Sequence, residues 1–298
     1  MATFPPKRIV VGVDGSEQSA VALRWAIREA SLHQGEVTVL HALSYLQPFG
    51  TKGIGYFDPN YGEADAQAAL DAFVEEVVNG LALDPPPQVT TQVTHGLPAE
   101  VALDASEQAD LLVVGARGLG GFRGLLLGSV SQQCLHHAKV PICVVRPTDH
   151  APGVDAPVVV GVDGSDTAKR ALGIAVAEAR ARGVPLRVVH DWSAPLLWAL
   201  PDAIELDRGP YQASAEALVA DLLAEVDTSG IEVTTKVSSI GAIPATLEAA
   251  EDAGLVVVGT RGIGGFRGML LGSVAHAVAQ HAPCPVLVVP TIKGDERP

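Results

Sequence analysis

The chain has 298 residues, a length that fits about two domains. Hydrophobic residues make up 48% and aromatic residues only 4%, so the core is sizeable, aliphatic and alanine-rich. With 34 acidic side chains against 20 lysines and arginines, the net charge is −14, a balance that disfavours a nucleic-acid surface, which needs clustered cations, while leaving room for a local small-anion site.

In chain order, the short apolar run Arg8–Val13 predicts a first strand. Residues Glu17–His33 follow, with Ala20, Leu23, Ala26, Ile27 and Ala30 at helical spacing and Ser16 as N-cap. Val37–Ala42 predicts a strand and Ala64–Val78 a helix; Ser44–Gly62 between them, rich in Gly, Pro and aromatics, reads as a long surface connection in preference to a lid. Gln88–His95 predicts a strand, Pro98–Gln108 a helix, Leu111–Val114 a buried strand, Gly128–His137 a helix and Pro141–Val145 a last strand. Residues 146–157, "RPTDHAPGVDAP", carry three prolines and read as a linker between domains at 1–147 and 156–298.

The second half repeats this order. "VVGVDGS" at Val10–Ser16 returns at Val159–Ser165, and His190 holds the place of His41. "GARGLGGFRGLLLGSV" from Gly115 returns as "GTRGIGGFRGMLLGSV" from Gly259, with thirteen of sixteen positions identical. The offset is 149 residues at Asp14/Asp163 and 144 at Gly115/Gly259, so the unit is a duplicated domain and not a short-period solenoid. Alternating strands and helices with apolar strand runs predict, in each half, a doubly wound parallel sheet with helices on both faces.

In such a sheet, ligands sit at the carboxyl ends of strands where the winding reverses. The first strand ends at Asp14 and the fourth opens the glycine loop. Glycines admit close backbone approach, and free N–H groups at Gly128 and Ser129 at the start of a helix would cradle a phosphate, with Arg117 and Arg123 as charge partners. The loop lacks the Lys-Ser/Thr of a Walker A motif. Its "GLG" follows the fourth strand and not the first, and the second strand ends without an acidic ribose partner, which argues against a dinucleotide fold. The spacing G-x2-G-x9-G-S is met by Gly115, Gly118, Gly128 and Ser129, and again by Gly259, Gly262, Gly272 and Ser273.

On "VGVDGS", the histidine after the second strand and the doubled G-x2-G-x9-G-S, the chain resembles a tandem universal stress protein of the ATP-binding class over nearly its whole length. The resemblance implies five-stranded parallel sheets of order 3-2-1-4-5 and an ATP in each crevice between first and fourth strands, two per chain. It implies that Gly12, Asp14, Gly161 and Asp163 lie along adenosine, with Asp14 and Asp163 near ribose or a magnesium ion, and that the Ala42 backbone meets adenine. Gly115, Ala116, Arg117, Gly118, Leu119, Gly120, Gly121, Gly128, Ser129 and Val130 would hold ribose and phosphates. So would Gly259, Thr260, Arg261, Gly262, Ile263, Gly264, Gly265, Gly272, Ser273 and Val274 in the second half. One departure is Asp191 in the place of Ala42.

Blander readings stand beside these. Asp14 and Asp163 can cap the following turn. His41 and His190 read as structural and not catalytic. His136 and His137 face apart on a helix and make no shared metal site. Arg123 and Arg267 are solvated loop charges or phosphate or interface contacts. Cys134, Cys143 and Cys284 have no metal spacing and read as buried thiols of a reducing compartment. The absence of an apolar leader or a membrane-length run leads to the expectation of a cytoplasmic protein without membrane insertion. Three functions compete: a nucleotide-dependent regulator of stress response or growth state, with a homodimer and a regulatory protein partner; a slow ATP hydrolase or phosphoryl- or adenylyl-transfer enzyme; and a dimerisation module with degenerate sites. The first is preferred, because both loops are intact and only Asp14 and Asp163 stand near the site as base or nucleophile.

Overall fold

The computed structural model describes residues 4–43, 61–119, 126–147, 155–192, 208–262 and 270–291. The chain divides into two compact units, Met1–Asp149 and His150–Pro298. The 44–60 part of the long connection, the glycine-loop segments 120–125 and 263–269 with Gly120, Gly121, Arg123, Ile263, Gly264, Gly265 and Arg267, and linker residues 148–154 lie outside the described residues.

The first unit runs β1 (Arg8–Gly12), α1 (Glu17–His33), β2 (Glu36–Leu43), α2 (Glu63–Asn79), β3 (Gln88–His95), α3 (Pro98–Ser106), β4 (Leu111–Gly115), α4 (Ser129–His137) and β5 (Ile142–Val145). Its strands pair in parallel in the order β3-β2-β1-β4-β5, the expected doubly wound sheet. The second unit runs β6 (Val158–Gly161), α5 (Asp166–Arg182), β7 (Leu186–Asp191), α6 (Gly209–Ala224), β8 (Val233–Ser238), α7 (Ala242–Ala249), β9 (Leu255–Gly259), α8 (Ser273–His281) and β10 (Val286–Val289). Its order, β8-β7-β6-β9-β10, is the same arrangement.

The central strands are continuous apolar runs because they are covered on both faces: Ile9, Val11, Leu111, Leu112, Val113 and Ile142 are all buried. β3 departs from that pattern. Its alternating sequence QVTTQVTH is half-exposed along its length, which suits an edge strand. α1 starts because the Ser16 Oγ accepts the Ser19 N–H at 3.1 Å, and it buries the stripe Leu23, Ala26, Ile27 and Ala30. Ser165 caps α5 in the same way through the Ala168 N–H. The three cysteines are buried and unbridged, and burial pushes the Cys134 thiol up to about 12. Among the described residues no helix is long and apolar enough to cross a membrane.

At the amino edge of the first sheet, one buried carboxylate sets the relation of β1 to β4. Asp110 is 2% exposed and accepts the N–H groups of Lys7 (3.1 Å) and Arg8 (2.9 Å) and the Arg8 Nη2 (3.1 Å). Burial alone would raise its pKa; the Arg8 guanidinium and the two amides outweigh that and hold the carboxyl below the usual range.

Candidate functional site

The crevice arises where the sheet's winding reverses. β1 and β4 pair side by side up to Gly12 and Val114. Just beyond, the chains part: the Val13 N–H donates to Leu40 O on β2 (2.9 Å), and the Ala116 N–H donates to Val145 O on β5 (2.7 Å). The two strand ends are thus drawn in opposite directions. The second unit splits likewise, Val162 to Val189 O (2.9 Å) and Thr260 to Val289 O (2.8 Å). Gly12 stands at this fork, and a Cβ built there meets nothing within 4 Å.

Asp14 ties the two sides together. Its Oδ1 accepts the Ser16 N–H at 3.0 Å, turning the chain into α1 through Gly15 at φ 79°, and its Oδ2 accepts the Leu119 N–H at 2.7 Å from the glycine loop. Gly118 lies so close that an added Cβ would run into this carboxylate. In the second unit Asp163 accepts the Ser165 N–H at 3.0 Å, Gly164 has φ 83°, and Gly262 lies against the Asp163 carboxylate. The turn-capping reading of both aspartates therefore describes real bonds, and Asp14 additionally reaches the loop.

Two expectations are corrected. The Gly128 N–H is not free, since it donates to Ala116 O at 2.8 Å, as Gly272 does to Thr260 O at 2.6 Å. These bonds fold the returning loop back against its strand. Among the described residues, the amides left without an intrahelical partner are those of the first helical turn, Ser129, Val130 and Ser131, and Gly128 has no side chain to cap them. Ser273, Val274 and Ala275 repeat this behind Gly272. The second concerns Gly115 as a glycine kept for ligand approach alone: the protein's own packing also restricts it, since a Cβ would sit 3.1 Å from Arg117 O and 3.4 Å from Gln18 O. At Gly259 the neighbour is Thr167 Cγ2, at 2.7 Å.

His41 is buried, and its Nδ1–H donates to Val13 O at 3.1 Å; His190 does the same to Val162 O at 2.8 Å. Both rings brace the strand tip that carries the aspartate, a structural task. Burial outweighs the Val13 carbonyl and the Asp14 charge, so the His41 pKa lies below its ordinary 6.5. A base with a lowered folded pKa stabilises the fold fully above its unfolded pKa, and that stability is lost as pH falls through the interval below about 6.5. A His41→Asn variant, which keeps an N–H donor but does not titrate, is expected to show a flatter fall in urea midpoint between about pH 7 and 5. Equal slopes for variant and wild type would contradict this.

Ala42 is the penultimate residue of β2, and Asp191 is the last residue of β7. The Asp191 Oδ2 accepts the Gly241 N–H at 2.9 Å, where Gly241 takes φ 107° to enter α7. The departure from alanine therefore has a structural partner within its own unit. Sequence reasoning missed Gln18, whose Oε1 accepts the Arg117 N–H at 3.0 Å, and Ser131, whose hydroxyl donates to Ala116 O at 2.9 Å. Neither belongs to a motif; their only signal was the place of Gln18 in the first turn of α1 and of Ser131 in that of α4. The assembled groups are backbone amides, glycine surfaces and the carboxylates of Asp14 in the first unit and of Asp163 and Asp191 in the second. Amides at a helix start are chemically suited to an oxyanion.

A duplicated, doubly wound α/β unit with a glycine loop at each switch point defines the class of protein. The universal stress protein family model matches residues 5–146 and 156–290, and the chain belongs to that family. It is 36% identical over 291 residues to a universal stress protein of Mycolicibacterium smegmatis, covering 94% of this chain and 96% of the relative. A universal stress protein of Mycobacterium tuberculosis is 35% identical over 289 residues, with 94% and 95% covered. The crystal structure of a universal stress protein from Archaeoglobus fulgidus superposes with a TM-score of 0.68 at 25% identity, covering 97% of each chain.

Proposed function

We propose that each unit binds one ATP in its crevice and that the chain is a nucleotide-dependent, cytoplasmic regulator of stress response or growth state. The observation that carries this reading is the pair of helix starts, α4 and α8, that follow the glycine loop at the switch point of each unit with a glycine at the N-cap and no side-chain cap. The helices α2, α3, α6 and α7 also begin without a side-chain cap, so it is the place at the crevice that sets α4 and α8 apart. Three outward amides at a helix N-terminus suit phosphate oxygens, and they supply local attraction on a chain whose net charge of −14 repels anions.

In this reading Gly12 and Gly161 take the adenosine, Ala42 and Asp191 border adenine, and the Gly115 and Gly259 loops with Ser129, Val130, Ser273 and Val274 take ribose and phosphates. Asp14 and Asp163 face ribose. A magnesium ion would arrive with the triphosphate, since one carboxylate already accepting two amides offers it at most one ligand. The nucleotide state would set the chain's shape for a second copy of itself or a regulatory protein partner.

Acid extraction of the freshly purified protein, followed by chromatography of the supernatant, tests the reading. ATP in the supernatant supports it. ADP that accumulates with time would favour slow hydrolysis, and no nucleotide from a chain that also fails to take up added ATP would overturn it.

A further inference from the structure

The two glycine loops are nearly identical in sequence, yet the groups behind them are not. In the second unit, four polar side chains gather where β10 leaves the sheet. The Thr291 N–H donates to Thr260 Oγ1 at 3.0 Å, the two hydroxyl oxygens lie 3.1 Å apart, and Arg261 Nε donates to Thr291 Oγ1 at 3.3 Å. Thr167 Oγ1, on the first turn of α5, lies 3.5 Å from the Thr291 hydroxyl. One turn along the same helix, the Arg170 Nη2 donates to Pro290 O at 2.9 Å. Thr260 and Thr167 are buried.

The corresponding positions of the first unit are Ala116 for Thr260, Pro147 for Thr291, Gln18 for Thr167 and Val21 for Arg170. None carries a hydroxyl or a cation. The first loop is held instead by bonds from the Arg117 N–H to Gln18 and from the Leu119 N–H to Asp14, with no hydroxyl cluster behind it among the described residues, and Arg117 itself is exposed where Arg261 is half-buried. Three threonines thus meet in one half of a duplicated chain, with Thr291 joined to each of the other two and to the loop residue Arg261.

We infer that Thr291 is a positioning residue for the second loop. Its hydroxyl joins the strand exit, the loop and α5, so the second crevice is held in its binding shape before ligand arrives, whereas the first lacks this hydroxyl latch and relies on the Gln18 and Asp14 contacts of its loop amides. Preorganisation lowers the ordering cost of binding. The two sites are therefore unequal, with the second the tighter; this rests on the nucleotide reading above.

The test uses the full chain in three forms: wild type, Thr291→Val, which keeps the shape and loses the hydroxyl, and Thr291→Ser, which keeps the hydroxyl. ATP titrations of wild type should resolve two classes of site. Thr291→Val should weaken the tighter class roughly three- to tenfold, the scale of one lost hydrogen bond, and leave the weaker class unchanged; Thr291→Ser should restore wild-type binding. Two equal sites in wild type, an equal effect on both classes, or no rescue by serine would overturn the inference. Amide hydrogen exchange in nucleotide-free protein reports on the latch separately. Residues 259–262 should exchange faster in Thr291→Val than in wild type or Thr291→Ser, with residues 115–118 unchanged. If the wild-type chain binds no ATP, the nucleotide reading fails; the exchange comparison then still decides the latch, and indistinguishable exchange in valine and wild-type chains overturns it.

Discussion

Gly118→Ala is expected to weaken ATP binding at the first crevice roughly ten- to a hundredfold while the chain still folds. The added Cβ would run into the Asp14 carboxylate, which must then release either the Ser16 N–H or the Leu119 N–H. A hydrogen bond to a charged group is worth about 1.5–3 kcal/mol, and one lost from the loop converts to about that range of affinity. Folding should survive, because Gly118 is exposed and the buried strands do not touch it. Gly12→Ala separates ligand crowding from protein packing. With nothing within 4 Å of its Cβ, that variant should leave thermal stability unchanged and reduce affinity only if nucleotide passes over Gly12. Calorimetric affinity, with circular dichroism as folding control, reads both variants; wild-type affinity in a folded Gly118→Ala chain would show that the Asp14 bridge does not shape the site.

Asp110→Ala is expected to destabilise the first unit by roughly 2–4 kcal/mol, mainly by stranding the Lys7 and Arg8 amides that the carboxylate now accepts. The ion pair itself adds less, because the Arg8 side chain is 56% exposed and screened by water. The second unit supplies an internal comparison. There the corresponding backbone bond runs from the Gly254 N–H to Pro157 O at 3.0 Å, as Asp110 donates to Arg8 O at 2.8 Å. Pro157, in the place of Arg8, has no N–H to satisfy, so Gly254 needs no carboxylate. Denaturant unfolding monitored by hydrogen exchange should therefore show the loss in β1 and β4 and not in β6 and β9. The pH dependence has a definite sign. With its folded pKa below the ordinary 3.8, the Asp110 contribution is present above about pH 3.8 and disappears as pH falls through the lowered value. Stability equal to wild type at neutral pH would contradict the assignment.

The fold was largely legible because its signals are local and doubled. Apolar runs marked the central strands, and Ser16 marked the start of α1; the same order reappearing after Asp163 made one half check the other. Helix ends slipped by a residue or two, as with Pro98–Ser106 against an expected end at Gln108, because frayed ends depend on packing. The candidate site was legible in its motif and less so in its bonds. The switch-point argument put Asp14 and the glycine loop at one crevice, but it could not say that the Gly128 amide is consumed by Ala116 O or that Gly115 packs on Gln18. The first depends on how the loop folds back on its own strand, and the second on a contact between residues far apart in the chain. Asp110 escaped notice for the same reason: its partners, Lys7 and Arg8, lie far away in sequence. Thr291 fell in no motif, and only the position-by-position difference between halves singles it out.

The central claim is that both crevices bind ATP. Titration of nucleotide-stripped chain with ATP and magnesium in a calorimeter tests it most directly. Saturation near two ATP per chain is expected, falling to about one when Gly262→Ala drives the Asp163 carboxylate out of the second crevice. Saturation at one in the wild type, or no heat of binding in a folded chain, would contradict it.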